Sequence, residues 1–314
     1  MTRFSNIEAF VEAAELGSFT LAARRLRLSP SALSRRVAQL EAELGLRLLH
    51  RTTRTVRLSE DGRALFERAR AALRELKDAQ DATVQLRGRP LGVLRIEAPT
   101  ILGRHVLAPA LSRFIARFPE LQLELTLRDQ AGDLVSDGID VALRLGPLED
   151  SALIARRVGR TRMCLCGAPS YLRRKGKPRS VAALAAHDRL GYAVHGRLVP
   201  WRLRDGAEVR EIAPSRQIAV NSGDALIELA IGGAGLAWMC DIMMIGPGRS
   251  GQLVEVLAGS ACEEIPIHLV TLPARQALPK VRVFAEFVAE ELAKHGLQQP
   301  GPVTSGISRD HNIS

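Results

Sequence analysis

The chain has 314 residues, 46% of them hydrophobic, with 44 Lys and Arg against 34 Asp and Glu, a formal net charge of +10. That length admits two or three domains with sizeable cores, and the cationic excess suits a polyanionic partner without choosing between DNA and a membrane surface. No apolar run reaches the roughly 18 residues that a spanning helix needs. The start, MTRFSNIEAFVEAAELG, carries three Glu on an amphipathic pattern rather than a basic end and an apolar core, so the chain reads as soluble and cytoplasmic, with no membrane partner.

In chain order, Phe4, Ile7, Phe10, Val11 and Ala14 keep helical spacing and Gly17 closes the first helix. Thr20 to Leu26 reads as a short second helix, with Ala22 and Ala23 where two helices can cross closely, and Arg27-Leu28 as a tight connection. Ser29-Pro30 opens a third helix, Ser as the cap and Pro at the first position. Its apolar stripe is Leu33, Val37, Leu40 and Leu44, and Gly45 ends it. Opposite that stripe lie Ser31, Arg35 and Ala38, flanked by Ser34 and Gln39, a short, hydrogen-bonding and basic face of the kind a DNA major groove receives. An ordinary amphipathic helix would also show a polar face; the neighbours decide between the two. Two β-like pieces, Arg47 to His50 and Val56 to Leu58, flank a polar tip from Arg51 to Thr55, which completes a winged helix-turn-helix. From Thr20 to Leu58 the basic residues are Arg24, Arg25, Arg27, Arg35, Arg36, Arg47, Arg51, Arg54 and Arg57, against Glu41 and Glu43 alone. This imbalance is what phosphate contact demands.

Ser59-Glu60-Asp61 starts a long helix that runs to about Leu86, with Leu65, Ala69, Ala72, Leu76, Ala79, Thr83 and Leu86 on a heptad seam. A sustained seam suits a two-stranded coiled coil. Arg87 to Gly92, rich in Gly and Pro, breaks the chain. Beyond it strands (Val93–Glu97, Leu121–Leu127, Val141–Leu145) alternate with helices (Leu107–Phe118), which predicts a mainly parallel sheet covered on both sides. The long extended stretch Ile154 to Cys166 leads toward a second lobe, where Ser180–Ala186 and Asp224–Gly232 read as helices and Leu190–Val194, Ile218–Val220 and Leu253–Leu257 as strands. Ile267–Leu272 and Lys280–Lys294 supply a last strand and helix.

The four cysteines, Cys164, Cys166, Cys240 and Cys262, make no metal spacing. Reduced, buried thiols are expected, with a redox pair at Cys164 and Cys166 as the lesser alternative. The seven His are scattered, and neither a Gly-x-Ser-x-Gly turn nor a phosphate-binding loop with Gly-Lys-Ser/Thr occurs. No enzyme, catalytic residue, metal or cofactor is expected.

The run SFTLAARRLRLSPSALSRRVAQLEAELGLRLLHRTTRTVRLSEDG resembles the N-terminal signature of LysR-type transcriptional regulators. The phrases APTILGRHVLAP, DGIDVALRLG, LIARRV and GAPSYL resemble that family's regulatory half, so that the likeness spans about residues 1 to 295. It implies an all-α winged helix-turn-helix N-terminal domain plus a long linker helix, and a C-terminal α/β two-lobed effector domain similar to periplasmic binding proteins. The expected division is 1–58 for the DNA-binding domain, 59–87 for the dimerising linker helix and 88–92 for the hinge. The regulatory domain follows at 93–295 (lobe I about 93–160 and 268–295, lobe II about 161–267), with a disordered tail at 296–314. The resemblance implies DNA contacts from Ser31, Ser34 and Arg35 on the third helix and Arg51 and Arg54 in the wing; Thr20, Ser29, Pro30 and Gln39 complete the candidate face. It also implies homodimers assembling to homotetramers, and an indirect effect on RNA polymerase.

A cleft between two α/β lobes collects strand ends and helix N-termini, which suits an anionic small molecule, a carboxylate or aromatic acid. Thr100 either offers its hydroxyl and backbone N–H groups there or merely caps the next helix. Gln130 follows a strand, Arg144 ends one and either faces the cleft or pairs between lobes, and Asn221 precedes a helix start. Met239-Cys240 stands where many relatives carry a Pro. Trp201 and Trp238 are read as core before ligand platform. The resulting expectation is a sequence-specific regulator tuned by an effector; an effector-independent repressor or architectural protein is the alternative. A periplasmic solute-binding protein would leave the basic reader unexplained.

Overall fold

The computed structural model describes residues 3–51, 56–85, 89–148, 151–215, 217–260 and 264–298. Its N-terminal part contains α1 (Arg3–Leu16), α2 (Phe19–Arg25), α3 (Pro30–Leu44), the antiparallel ribbon β1 (Leu49–Arg51) and β2 (Val56–Leu58), and the long α4 (Glu60–Gln85). The hydroxyls of Ser18 and Ser29 cap α2 and α3 by accepting from the N–H groups of Leu21 and Ala32. Gly45 ends α3 at φ +67°, a conformation cheap only without a Cβ. Ala22, Ala23, Leu33, Val37 and Leu40 pack against Phe10 of α1 and against Phe66 and Ala69 of α4 in one core.

Two details were not anticipated. The Glu41 carboxylate accepts from the N–H groups of both Leu48 and Leu49, at 2.8 and 3.1 Å, so this acid shapes the turn after α3; the ribbon accordingly begins at Leu49, not Arg47. The seam on α4 also divides. Leu65 and Ala69 turn to the chain's own core beside Phe66 and Leu73, because the first turns of α4 must cover the open side of α1. Ala72 and Leu76 stay exposed. The side chains of Ala79 and Thr83, and all of Leu86, lie outside the described residues.

The C-terminal part runs through β3 (Gly92–Ala98), α5 (Thr100–Leu102), a π turn Gly103–Leu107, α6 (Ala108–Arg117), β4 (Leu121–Leu127), β5 (Val141–Leu145) and β6 (Ile154–Gly167). Next come α7 (Pro169–Lys175), β7 (Gly191–Val194), β8 (Arg197–Leu198), β9 (Trp201–Asp205), β10 (Glu208–Ile212), β11 (Ala219–Val220), α8 (Gly223–Ile231), β12 (Ala237–Cys240), α9 (Ile245–Arg249) and β13 (Val254–Val256). The chain returns through β14 (Glu264–Thr271), α10 (Pro273–Gln276) and α11 (Pro279–Lys294).

The main sheet has the order β12-β6-β14-β5-β3-β4, with β13 also on β6. Only β3 pairs in parallel, with β4 and β5; β14 and β6 join as antiparallel strands. The expectation of a mainly parallel sheet is therefore corrected. The physical reason is β6, which is long enough to serve both lobes: Ile154 to Arg162 pairs with β14, and Met163 to Gly167 with β12 and β13. The crossing between lobes falls at Arg162-Met163, and β14 lies wholly in lobe I's sheet from Glu264 onward. The hairpin β9–β10 was also not foreseen, because its strands are dense in charge. The start of the expected disordered tail is corrected as well: Leu297 is buried, and its carbonyl accepts from the Arg160 N–H at 2.7 Å.

One buried polar cluster fixes lobe I. The Asp140 carboxylate, at the foot of β5, accepts from Arg275 Nη1 at 3.1 Å, Lys280 Nζ at 2.9 Å and the Arg95 N–H at 2.9 Å. These contacts tie α10 and α11 to the strands whose far ends build the site described next.

Candidate DNA interface and effector cavity

On α3, Ser31, Arg35, Ala38 and Gln39 are exposed on the side away from the core, and Ser34 is half-buried. Ser29 and Pro30 are exposed at the helix start. The Ser29 hydroxyl is committed to the Ala32 N–H at 3.2 Å and lies 3.0 Å from the Ser31 hydroxyl. Thr20 is exposed on the first turn of α2. Arg27 takes a positive φ of 54° in the turn between the two helices. Arg51 ends β1, and its side chain lies outside the described residues, as does Arg54 altogether. Arg24, Arg35, Arg47 and Arg57 are all exposed.

The second candidate is a cavity of about 1060 Å³ walled by both lobes. Lobe I gives it Thr100 and Ile101 at the start of α5, Arg128, Asp129 and Ala131 after β4, and Arg144 to Leu148 at the end of β5. Lobe II gives it Met163, Tyr192, Asn221 to Asp224, Trp238, Met239 and Met243. Thr100, Arg144, Asn221 and Met239 thus meet around one space. Gln130 does not: it is exposed, and its neighbours Asp129 and Ala131 form the wall. Asp129 accepts the Thr100 N–H at 2.9 Å, which holds it against the start of α5, and the next residue is left outside. The free N–H expected at Thr100 is therefore already taken. Trp238 faces the cavity, whereas Trp201 is buried in lobe II's own core.

The residues that organise the cavity's charge were not anticipated. Glu97 on β3 is fully buried and meets Arg144 Nη2 at 2.5 Å and Arg128 Nε at 2.6 Å. These are close ion pairs without aligned hydrogen bonds. Arg128 also meets Asp137 at 2.8 Å. At the rim, Arg104 of the π turn meets Asp224 of α8 at 2.5 Å, an ion pair that bridges the lobes; His105 Nε2 lies 3.8 Å from the same carboxylate. Burial pushes the His105 pKa below its ordinary value, against the pull of Asp224 and with a further push from Arg104. An acid in β3 at a position between the apolar Ile96 and Ala98 was the available signal for Glu97. Nothing in the sequence signalled the Arg104–Asp224 pair, whose members are 120 positions apart.

Cys164, Cys166 and Cys240 are buried and free. Burial raises all three thiol pKa values, Cys166 to about 12 and Cys240 to about 11. The reactive thiolate is therefore scarce at neutral pH, which disfavours a redox pair at Cys164 and Cys166. Cys262 lies outside the described residues. Among the described residues no three His, Cys, Asp or Glu side chains gather as metal ligands, and no helix is long and apolar enough to cross a membrane.

A helix-turn-helix with an arginine-rich outer face, joined by a long helix to a two-lobed module around a cavity, defines a DNA-binding protein with a small-molecule-binding half. Comparison with known proteins agrees on both halves. Residues 4–63 match the bacterial regulatory helix-turn-helix protein, lysR family, and residues 87–293 match the LysR substrate binding domain. An HTH-type transcriptional regulator of Xanthomonas campestris pv. campestris (strain 8004) is 38% identical over 287 residues, covering 90% of this chain and 83% of that protein. The activator AaeR of Escherichia coli (strain K12) is 31% identical over 297 residues, covering 94% and 96%. The structure of CrgA from Neisseria meningitidis aligns with a TM-score of 0.60 at 33% identity, over 92% of this chain and 98% of that one. The chain belongs to the LysR family of transcriptional regulators. It is a DNA-binding regulator with an effector-binding domain, not an enzyme.

Proposed function

We propose that the protein is a sequence-specific regulator whose grip on DNA is tuned by a small molecule held between the two lobes. The observation that carries this reading is the shared wall of the cavity. A ligand there touches Thr100 and Arg144 on one lobe and Asn221 and Met239 on the other, so its differential contacts bias how the lobes sit. Arg35, with Ser31, Ser34 and Gln39, reads base edges; Thr20, Ser29 and Pro30 set the approach to the backbone; Arg51 and Arg54 hold phosphate or the minor groove. Residues 1–58 act as the reader, 59–87 as the linker and 88–92 as the hinge. Dimers pair along α4, where Ala72 and Leu76 are exposed, and associate into tetramers through the regulatory domains. Two readers then address successive major grooves. The protein works in the cytoplasm, and its effect on RNA polymerase is indirect, through DNA bending and access.

The test begins with duplexes selected from a random pool by the full chain, followed by footprinting at fixed salt. Arg35→Ala is expected to cost about 1–3 kcal/mol of specific binding. A loss within about 0.5 kcal/mol, or no preference for any duplex over random competitor, overturns the placement of the reading face. Met239→Trp, which narrows the cavity, is expected to alter the footprint. An unchanged footprint would favour an effector-independent repressor or architectural protein.

A further inference from the structure

The charges around the cavity are already spoken for. Among the described residues four charged side chains line it: Arg128, Asp129, Arg144 and Asp224. Both arginines converge on the buried Glu97, and Arg128 reaches Asp137 as well. Asp129 holds the Thr100 N–H, the first donor of the helix that starts there. Asp224 holds Arg104. Counted with their partners, three cations face four carboxylates, so the described walls carry no positive excess to receive an anion. A carboxylate ligand would have to draw Arg144 from Glu97, leaving that fully buried acid to share Arg128 with Asp137, and weakening the pairing of a buried charge is costly. An ammonium ligand would have to displace Arg104 from Asp224 or pair with Asp129, which is exposed to solvent, where an ion pair gains little. What remains free is apolar wall, notably Trp238, Met239, Met243 and Leu148, together with the uncharged donors and acceptors of Asn221 and Tyr192.

We infer that the effector is an uncharged amphiphile: an apolar body against Trp238 and the methionines, carrying a neutral hydrogen-bonding group such as a hydroxyl, amide or ester. This rests on the reading of the cavity as the effector site and departs from the anionic ligand that the helix start at Thr100 suggests. The Glu97 carboxylate becomes the specificity element, since together with Asp137 it neutralises the two arginines that would otherwise make a carboxylate pocket.

The test uses the full chain and three probes of one shape, 4-phenylbutan-1-ol, 4-phenylbutanoate and 4-phenylbutylamine. Binding is read by thermal shift and by tryptophan fluorescence excited beyond the phenyl absorption, Trp238 being the tryptophan at the cavity. The alcohol is expected to bind at least tenfold more tightly than the butanoate and no more weakly than the amine. In Glu97→Gln the butanoate is expected to gain at least tenfold relative to the alcohol. Should that variant fail to fold, Asp137→Asn, which removes a partner of Arg128 from the half-exposed rim, is expected to give a several-fold gain in the same direction. Tighter binding of either charged probe to the unaltered protein overturns the inference and leaves the cavity standing as the effector site. Absence of binding by all three also overturns it, and an unchanged footprint in Met239→Trp would then remove the cavity reading too.

Discussion

Removing the Asp140 carboxylate tests how lobe I is held. Asp140 has no exposure, and its partners Lys280 and Arg275 retain only 3% and 7% of side-chain exposure. In Asp140→Ala, Lys280 keeps the Val93 carbonyl and Arg275 keeps the Ile139 carbonyl, but both cations lose their counter-charge, and the Arg95 N–H loses its acceptor. Breaking a buried pair from one side costs about 3–5 kcal/mol. For a unit of this size about 1 kcal/mol moves Tm by about 2–4 °C, so a fall on the order of 6–20 °C is expected. Urea unfolding followed by circular dichroism should show the midpoint dropping with little change in slope. Lys280→Met should cost less, because Asp140 then still faces Arg275. A loss below about 1 kcal/mol in Asp140→Ala, under the range for a broken buried pair, would show that the cluster is surplus to lobe I's stability.

Three further outcomes follow from particular atoms. A Cβ on Gly62 would lie 1.9 Å from the Leu48 carbonyl oxygen, so Gly62→Ala should push α4 away from the ribbon, lowering Tm and weakening DNA binding together; unchanged values for both would contradict the close approach. Asn6 is buried in α1 with neither amide atom hydrogen-bonded among the described residues. An unmet buried polar group costs about 1–3 kcal/mol, so Asn6→Ala should leave stability unchanged or raise it, and a clear drop in the urea midpoint would show the amide to be engaged. Burial lowers the pKa of His105, His187, His268 and His295 from the ordinary 6.5. The unfolded chain then binds more protons than the folded one just below that value, so the stability held above 6.5 is lost as pH falls through 6.5 toward the folded pKa values. Tm measured from pH 8 down to 5.5 should decline across that window, and a flat or rising profile would refute the argument.

The reader module was legible in the sequence because its determinants are local. Ser29, Pro30 and Gly45 mark a helix by cap chemistry and a left-handed end, and Leu33, Val37 and Leu40 share a face through helical period alone. The lobes were legible as an alternation of strands and helices, but not in their pairing. Whether a strand pairs parallel or antiparallel depends on where the chain returns, and a strand such as β6 that serves two lobes carries no local mark of it. The seam on α4 shows the same limit: period placed Leu65 and Leu76 on one stripe, and only the packed module assigned the first to the chain's own core.

The sequence by itself determined that a basic helix face precedes an α/β half, since spacing and charge along one helix are fixed by the backbone's own geometry. The tertiary structure alone decided the electrostatics of the cavity. Glu97, Arg128 and Arg144 come from three separate segments, and Arg104 meets Asp224 only because the two lobes face each other. The effect of a charge depends on what stands within a few ångströms of it, and that distance is set by folding, not by position along the chain.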